Sequence, residues 1–279
     1  MGINRAPVRP SSNSASRERC GINWRTLDAL EPVPLAQDQL DRLENRPGVY
    51  ELYLNGGLRE HRVYVGKANM PLPSRLGEHL RKLSGRINLN IEDIRFKCLY
   101  VDEDLDAASP EKLLIKIYRA DGTSPWNNSG IGGKDPGHNR EDTVVKRKHF
   151  DARYPVHPGQ VVANLKLGSQ SLYPLLKDVK AKLPYLFRFE EKKVRRDHRD
   201  TPVPVTSNAL AMRDIIRLAL EALPEGWQAT AMPGRVILYD EIVDYRSANM
   251  FWRKQDAVVR EFAGEGYLEE GEVDEADEE

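Results

Sequence analysis

Two tyrosines on neighbouring apolar runs are the residues whose types and spacing first suggest chemistry. Tyr50 lies in GVYELYLN and Tyr64 lies in HRVYVGKA, and Asn55-Gly56-Gly57 between the runs is typical of a hairpin turn. On two paired strands, both hydroxyls can project from the same face of a sheet. Because a tyrosine hydroxyl has a pKa of about 10, it serves as a general base only where nearby cations or a metal ion stabilise its phenolate.

Four further groups that could support such chemistry follow in order along the chain. Lys67 comes directly after Gly66, where a ligand can approach the backbone closely. Arg75 and His79 are four residues apart on a predicted helix and therefore share a face. Glu111 falls in the first turn of a later predicted helix, where the helix dipole favours a carboxylate. Each residue taken alone also fits an ordinary structural role, such as strand packing or a solvated helix face.

The elements that must position these residues predict a compact β-β-α-β-α unit. In chain order they are a helix at about 37–45, the hairpin, a helix from Ser74 to about Leu83, a strand at 94–101 and a helix that starts at Ser109-Pro110-Glu111. The second helix is predicted to bury Leu76, Leu80 and Leu83, with Ser74 as its N-cap. The segment TSPWNNSGIGGKDPGHNRED is rich in Gly, Pro and Asn, so we predict that it is irregular.

The sequence beyond about residue 165 predicts a separate α/β extension. Its predicted elements are a helix at about 208–222, the strand RVILYDEIV, and a helix at about 248–263 that is capped by Ser247 and followed by Gly264. No internal repeat is apparent. We therefore expect a mixed α/β (α+β) protein with a flexible arm at 1–25, a core domain at 26–165, a C-terminal extension at 166–263 and a disordered acidic tail at 264–279.

Charge is distributed unevenly along the chain. The formal net charge is −1, yet nine carboxylates and no Lys or Arg lie in residues 265–279, so the rest of the chain is basic. A basic body is compatible with a polyanionic partner. The basic runs Lys146-Arg147-Lys148 and KKVRR at 192–196 either follow phosphates or lie in solvated loops.

Several function classes are disfavoured by the sequence. Cys20 and Cys98 are too few and too far apart for a disulfide framework or a zinc site. The glycine-rich stretch before Lys134 is not a phosphate loop, because Asp135 stands where such a loop needs Ser or Thr. The N-terminal 20 residues lack the apolar core of a signal peptide, and no apolar run is long enough to span a membrane. We expect a cytoplasmic protein with no membrane partner.

Taken together and in this order, the polar residues resemble the signature of the GIY-YIG nuclease superfamily. The runs Gly48-Val49-Tyr50 and Tyr64-Val65-Gly66-Lys67 are similar to its two halves, with Val standing twice for Ile. Arg75 matches the arginine of the first core helix, Glu111 matches the glutamate that opens a later helix, and Asn127 matches the asparagine that follows. The resemblance covers about residues 46–160 and implies a compact core with a small antiparallel or mixed sheet flanked by helices.

Flanking motifs narrow this resemblance to one branch of the superfamily. The branch contains type II restriction endonucleases that cut palindromic GC-rich sites, and the matching motifs are Arg75-x-x-x-His79, Pro125-Trp126-Asn127, Asp135-Pro136-Gly137 and His157-Pro158-Gly159. The resemblance implies hydrolysis of phosphodiester bonds in double-stranded DNA, with one Mg²⁺ per active site. A palindromic site further implies a homodimer, and a cognate DNA methyltransferase that protects the host would be the functional partner.

The resemblance also implies a role for each matched residue. Tyr50 would be the general base and Tyr64 would orient the attacking water or the phosphate. Lys67, Arg75 and His79 would stabilise the phenolate, and Arg75 would also grip the scissile phosphate.

Two more roles and two alternatives complete the expectation. Glu111 would hold the magnesium ion, and Asn127 would orient a phosphate or buttress the site. One alternative function is a nicking or structure-selective nuclease of repair or mobile elements with the same core. Another is a catalytically silent DNA-binding protein.

Overall fold

The computed structural model describes residues 27, 29–56, 60–100, 124–127, 129–131, 141 and 145–266. Helices alternate with several small antiparallel or mixed sheets, which confirms the predicted mixed α/β class. Four predicted features lie outside the described residues. They are the N-terminal arm, the helix that starts at Ser109 and contains Glu111, the Asp135-Pro136-Gly137 motif, and the acidic tail beyond Gly266. In the ranges that the structure describes, no helix combines the length and apolar composition that crossing a bilayer requires.

The chain divides into two compact units. The first comprises Met1–Leu80 and Ile91–Asn128, and the second comprises Arg81–Asn90 and Ser129–Glu279. Residues 129–165 therefore group with the C-terminal part of the chain, whereas the sequence pattern placed them with the N-terminal core. The roles predicted for the core domain and the extension stay predictions.

The first unit is built on a four-stranded antiparallel sheet in the order β1-β4-β2-β3. Its strands are β1 (Val33–Pro34), β2 (Gly48–Asn55), β3 (Glu60–Ala68) and β4 (Ile94–Tyr100). Helix α1 (Gln37–Leu40) and a 3-10 turn at Ile91–Asp93 belong to this unit, as does helix α2 (Leu72–Leu83) up to Leu80. The core of the unit is formed by Leu40, Leu52, Leu72, Leu76, Ile94 and Phe96.

Both helices of this unit differ in length from the prediction. Helix α1 ends at Leu40, and the chain runs on towards Pro47 in tight turns, in which Leu43 N–H donates to the Leu40 carbonyl. Helix α2 begins at Leu72 rather than after Ser74, because Leu72 N–H donates to the Arg46 carbonyl and a proline at position 73 is tolerated in a first helical turn.

The second unit is built on a five-stranded mixed sheet in the order β13-β12-β10-β11-β7. The strands are β7 (Leu186–Phe189), β10 (Gln228–Met232), β11 (Arg235–Tyr239), β12 (Met250–Gln255) and β13 (Val258–Ala263). Strands β11 and β7 are parallel, and the other neighbours are antiparallel. Its helices are α3 (Phe150–Arg153), α4 (Leu172–Lys182), α5 (Glu191–Asp197) and α6 (Met212–Ala222).

Four short strands complete the second unit and expose an internal repeat that the sequence analysis missed. Strand β5 (Val161–Val162) pairs with β9 (Leu210–Ala211), and β6 (Gly168–Ser171) pairs with β8 (Pro202–Val205). The order strand, strand, helix, strand therefore occurs twice, as β5-β6-α4-β7 and as β8-β9-α6-β10. The first short strand of each copy pairs with the second short strand of the other copy.

Four buried positions of the two repeated helices correspond, and α6 buries one further residue, Leu220. Both helices are eleven residues long, and each is followed by a Leu-Pro pair, Leu183-Pro184 in one copy and Leu223-Pro224 in the other. The matching buried pairs are Leu172 and Met212, Leu175 and Ile215, Leu176 and Ile216, and Val179 and Ala219. The matched residues share spacing and apolar character but not identity. The repeat is therefore evident from the backbone structure and not from the amino-acid sequence.

The helix predicted at about 248–263 is wrong, because this segment forms the antiparallel hairpin β12-β13. Phe251, Val259 and Phe262 recur at spacings that also fit a helix, which misled the prediction. The structure pairs Phe251 with Phe262 across the two strands and turns the chain at Asp256-Ala257. Both turn residues have positive φ, 52° and 60°, as a two-residue hairpin turn that matches strand twist requires.

We expect Ala257→Gly to stabilise the protein by about 0.5–1 kcal/mol, since glycine adopts positive φ without the steric penalty of a Cβ. The control Ala181→Gly, on the exposed side of α4, should destabilise the protein by about 1 kcal/mol because it puts glycine in a helix. Urea denaturation followed by the fluorescence of the buried Trp227 and Trp252 measures both changes. Equal losses in the two variants would contradict the turn assignment.

Candidate active site

The register between β2 and β3 places Tyr50 and Tyr64 on one face of the first sheet. Tyr50 lies opposite Gly66 and Leu52 lies opposite Tyr64, and residues directly opposite each other share a face. The ring centroids of the two tyrosines are 6.0 Å apart with an angle of 28° between the ring planes. Tyr50 is fully buried, whereas Tyr64 is half-buried.

A one-residue register slip between Leu52 and Tyr53 creates this arrangement. Near the hairpin turn, Tyr53 pairs with Arg62, and continuing that register would put Tyr64 opposite Glu51, on the other face. Val63 is the extra residue of the bulge that shifts the pairing by one. Its carbonyl accepts a hydrogen bond from Trp126 N–H at 2.9 Å, so the backbone group released by the bulge is satisfied.

A buried ion pair spans the bulge on the opposite face of the sheet. The Glu51 carboxylate is fully buried and accepts hydrogen bonds from Arg62 Nη1 at 3.0 Å and from the Tyr53 hydroxyl. Glu51 belongs to the register that holds the tyrosines, and Arg62 belongs to the register of the hairpin end. The pair therefore joins the two registers across the slip.

Glycine at position 66 is required by the close approach of Tyr50. A Cβ at this position would lie 2.4 Å from both Cζ and the hydroxyl oxygen of Tyr50, and 2.8 Å from Cε1 of Tyr64. Contacts this short do not occur between non-bonded atoms, so the fully buried Tyr50 ring or the backbone would have to shift. Gly66 thus lets the Tyr50 hydroxyl lie directly on the backbone of β3.

Helix α2 brings His79 and Arg75 to the Tyr50 hydroxyl. His79 Nε2 lies 2.7 Å from the hydroxyl oxygen, and the two groups share a hydrogen bond. Arg75 Nε donates to the same oxygen at 3.2 Å. The His79 ring also lies beside both tyrosines, with centroid distances of 5.3 Å to Tyr50 and 5.1 Å to Tyr64. The structure therefore gathers Tyr50, Tyr64, Arg75 and His79 at one point.

The protonation state of Tyr50 follows from its surroundings. Burial raises the pKa of Tyr50 far above its usual value, the neighbouring Tyr64 raises it further, and Arg75 only partly opposes this rise. Tyr50 is therefore protonated at neutral pH. Because the Tyr50 oxygen accepts a bond from Arg75, its single proton is available to His79 Nε2 when the neutral imidazole carries its own proton on Nδ1. The pair is then arranged for proton transfer from phenol to imidazole.

Asn127 lies at the outer edge of β3, and both ends of its amide bind one backbone residue. Val65 N–H donates to Asn127 Oδ1 at 2.9 Å, and Asn127 Nδ2 donates to the Val65 carbonyl at 2.8 Å. Since β3 ends the order of the sheet, this side chain makes the two bonds that a further strand would make. Of the two roles expected for Asn127, this geometry supports buttressing the site.

Of the remaining predicted residues, Lys67 lies apart from this cluster. Lys67 pairs with Val49, and strand alternation puts it on the face of Glu51 and Val65 rather than the face of Tyr50. Glu111, the predicted magnesium ligand, lies outside the described residues. The ranges that the structure describes contain no cluster of three or more His, Cys, Asp or Glu side chains that could hold a metal ion.

Sequence reasoning passed over Glu78 and the bulge at Val63. Glu78 accepts a hydrogen bond from Arg75 Nη1 at 2.7 Å, and the opposite charges three residues apart on a predicted helix were a visible signal of this contact. The bulge had no such signal, because the extra residue is an ordinary strand residue within an unbroken apolar run.

Comparisons of the chain with protein-family models and with curated proteins each returned no match.

Gly66→Ala should destabilise the protein by about 1–3 kcal/mol, because the added methyl group displaces the buried Tyr50 ring. The matched control is Gly77→Ala on α2, where the nearest heavy atom to a new Cβ is Leu40 Cδ1 at 4.0 Å. The control should stabilise the protein by about 0.5–1 kcal/mol, since alanine is the better helix former. Chemical denaturation measures both variants, and a neutral Gly66→Ala would argue against the close approach.

Arg62→Met should destabilise the protein by about 3–5 kcal/mol, because it leaves the Glu51 carboxylate buried without its cationic partner. Arg217→Met breaks a partly exposed ion pair with Glu261 and should cost less than about 1 kcal/mol. Urea denaturation followed by the fluorescence of the buried tryptophans, Trp126 in the first unit and Trp227 and Trp252 in the second, measures both changes. If Arg62→Met were as mild as the control, the pair would not hold the two registers together.

Proposed function

We propose that this chain is a magnesium-dependent endonuclease that hydrolyses phosphodiester bonds of double-stranded DNA, of the type II restriction class. The observation that carries the proposal is the Tyr50 hydroxyl held between His79 Nε2 at 2.7 Å and Arg75 Nε at 3.2 Å, with Tyr64 beside it. A phenol, an imidazole and a guanidinium at one point combine a proton acceptor with a binding group for a phosphate. The ordered resemblance of the same residues to the GIY-YIG signature adds to this support.

The exposure of the four groups suggests how a substrate would meet them. Arg75, with 29% of its side chain exposed, and the half-buried Tyr64 are the outer groups, whereas Tyr50 and His79 are buried behind them. A DNA phosphate would therefore bind Arg75, and the attacking water would be oriented by Tyr64. The water would reach the Tyr50 hydroxyl from the side that these two residues form.

The Tyr50–His79 pair would take up the proton of the attacking water. Because burial raises the pKa of Tyr50, a free phenolate is costly to form in this environment. No free phenolate forms if the Tyr50 proton passes to His79 as the proton of the water passes to Tyr50. In this scheme Tyr50 is the base that touches the water and His79 is the final acceptor.

Arg75 would stabilise the charge that develops on the phosphate. Its guanidinium stays ionised at every working pH, and the Nη2 nitrogen and the outer hydrogen atoms remain for a phosphate oxygen after the bonds to Tyr50 and Glu78 are made. A cation already in place stabilises the transition state without a costly rearrangement.

Glu111 remains the residue proposed to hold the magnesium ion. A magnesium ion bound by one carboxylate, waters and a phosphate oxygen needs no cluster of protein ligands, so the described residues are compatible with a site completed by Glu111. When bound, the ion would polarise the phosphate and stabilise the departing 3′ oxygen.

Double-stranded DNA is the proposed partner, together with a second copy of the chain. Cutting both strands of a palindrome requires two active sites related by a two-fold axis, so a homodimer is expected on DNA. A restriction activity would also require a DNA methyltransferase that protects host sites. The second unit is the proposed location for recognition or dimer contacts.

Purified protein with Mg²⁺ should cut a plasmid of high sequence complexity into discrete fragments, and EDTA should abolish cutting. Glu111→Ala should lower the rate by about 100-fold or more through loss of the metal ligand, whereas the exposed control Glu31→Ala should cut like the unaltered chain. Gel electrophoresis and sequencing of the fragment ends measure the outcome.

The same assay separates the alternatives. Nicked circles, or cutting only at branched or otherwise irregular DNA, would favour the nicking or structure-selective nuclease. Retarded DNA that stays intact with Mg²⁺ would favour the silent DNA-binding protein. Cutting that Glu111→Ala leaves unchanged would overturn the proposed metal site.

A further inference from the structure

Arg75 is held at two different edges of its guanidinium group. Nε donates to the Tyr50 hydroxyl at 3.2 Å, and Nη1 donates to Glu78 Oε2 at 2.7 Å. In a guanidinium, Nε and Nη1 lie on opposite sides of the side-chain axis, and each forms a two-donor fork only with Nη2. Glu78 therefore contacts the edge that faces away from Tyr50.

We propose that Glu78 is a positioning residue for Arg75, and so for the proposed phosphate site. With Nη1 fixed by Glu78 and Nε bound to the Tyr50 hydroxyl, the Nε–Nη2 edge faces Tyr50, and Nη2 remains for the scissile phosphate. Glu78 touches neither the Tyr50 hydroxyl nor the substrate in this arrangement, and it acts only through Arg75. Its effect on catalysis rests on the nuclease function proposed above, whereas its effect on Arg75 does not.

The contact in which Glu78 holds Arg75 Nη1, which we call the clamp, is formed within helix α2 alone. Arg75, Glu78 and His79 are spaced at i, i+3 and i+4 on α2, so all three lie on adjoining parts of one helix surface. His79 is buried at 2% exposure, while the Glu78 side chain is 51% exposed at the solvent end. Glu78, Arg75, Tyr50 and His79 form one continuous chain of hydrogen bonds from the surface to the interior.

An ordinary surface pair would have a different consequence. Opposite charges at this spacing on an exposed helix stabilise the helix only weakly. If that were the whole role of Glu78, its removal would leave the bond between Arg75 and Tyr50 unchanged. Because the Arg75 side chain is 29% exposed, the positioning role predicts instead that the released guanidinium turns towards solvent.

The Nε–H signal of Arg75 tests the clamp directly. In ¹⁵N-labelled full-length protein the signal is assigned by its loss in Arg75→Lys, and its exchange rate with water is measured. We expect Glu78→Ala to accelerate exchange by about 10-fold or more, as a solvent-facing Nε–H loses its acceptor. Glu78→Gln should restore most of the protection, because its amide oxygen still accepts from Nη1.

Glu44→Ala is the matched control, since Glu44 pairs with Arg46 in a similarly exposed ion pair. It should leave the Arg75 signal unchanged. An Arg75 signal that does not respond to Glu78→Ala, or that responds equally to Glu44→Ala, would overturn the positioning role.

Cleavage kinetics of the same variants test the consequence for the proposed reaction. Glu78→Ala should lower kcat by about 10-fold with little change in KM or in the melting temperature, and Glu78→Gln should recover most of the rate. A fall in KM instead would mean that Glu78 competes with the phosphate, which overturns positioning. If the unaltered chain does not cut DNA while the Arg75 signal responds as expected, the nuclease proposal fails and the clamp stands.

Discussion

A single extra residue in β3 is the constraint on which the site depends. Side chains alternate along a strand, so the register that starts at the hairpin turn would place Tyr64 on the face opposite Tyr50. The bulge at Val63 changes the pairing by one residue, and Tyr64 and Gly66 then face Tyr50. The bulge is held on both sides, because Trp126 N–H binds the released carbonyl and the Glu51–Arg62 pair joins the two registers. Bulges bend and twist strands, and this bulge brings the side chains of Tyr50 and Tyr64 together on one face of the sheet.

Burying the Tyr50–His79 pair is costly unless the polar atoms satisfy one another. The Tyr50 hydroxyl meets this condition through its hydrogen bonds with His79 and Arg75. Gly66 contributes to this arrangement, because the absence of a side chain lets the Tyr50 ring lie directly on the backbone of β3. The outer side of this buried cluster is formed by Tyr64 and Arg75.

Local patterns predicted those parts of the fold whose period is unambiguous. Alternation and the Asn-Gly-Gly turn predicted β2 and β3, and β4 was placed to within one residue. The prediction for 248–263 was wrong because its apolar residues fit a helix and a hairpin alike. The hairpin is distinguished by the positive φ of its turn residues Asp256 and Ala257, which the spacing of apolar residues does not reveal. For α2, spacing suggested Leu80 in the buried stripe, yet the fully buried positions are Leu72, Leu76, His79 and Leu83. Position 79, rather than position 80, belongs to the buried stripe. His79 is polar, and its hydrogen bond with Tyr50 is what makes it suitable for burial.

The division of labour between sheet and helix explains why so short a stretch of chain can form this cluster. Strand β2 contributes only Tyr50, whereas one turn of α2 contributes Arg75, Glu78 and His79. The position of the helix over the sheet is set by residues with no chemical role: Leu72 and Leu76 are fully buried, and Leu72 N–H binds the Arg46 carbonyl just before β2 begins. Because that bond ties the start of the helix to the start of the strand, the distance from Tyr50 to His79 is fixed by backbone and apolar packing. The polar groups of α2 are positioned by their spacing along one helix, so the sequence predicted that they lie together. The bulge that aligns the two tyrosines has no such sequence pattern and was not predicted.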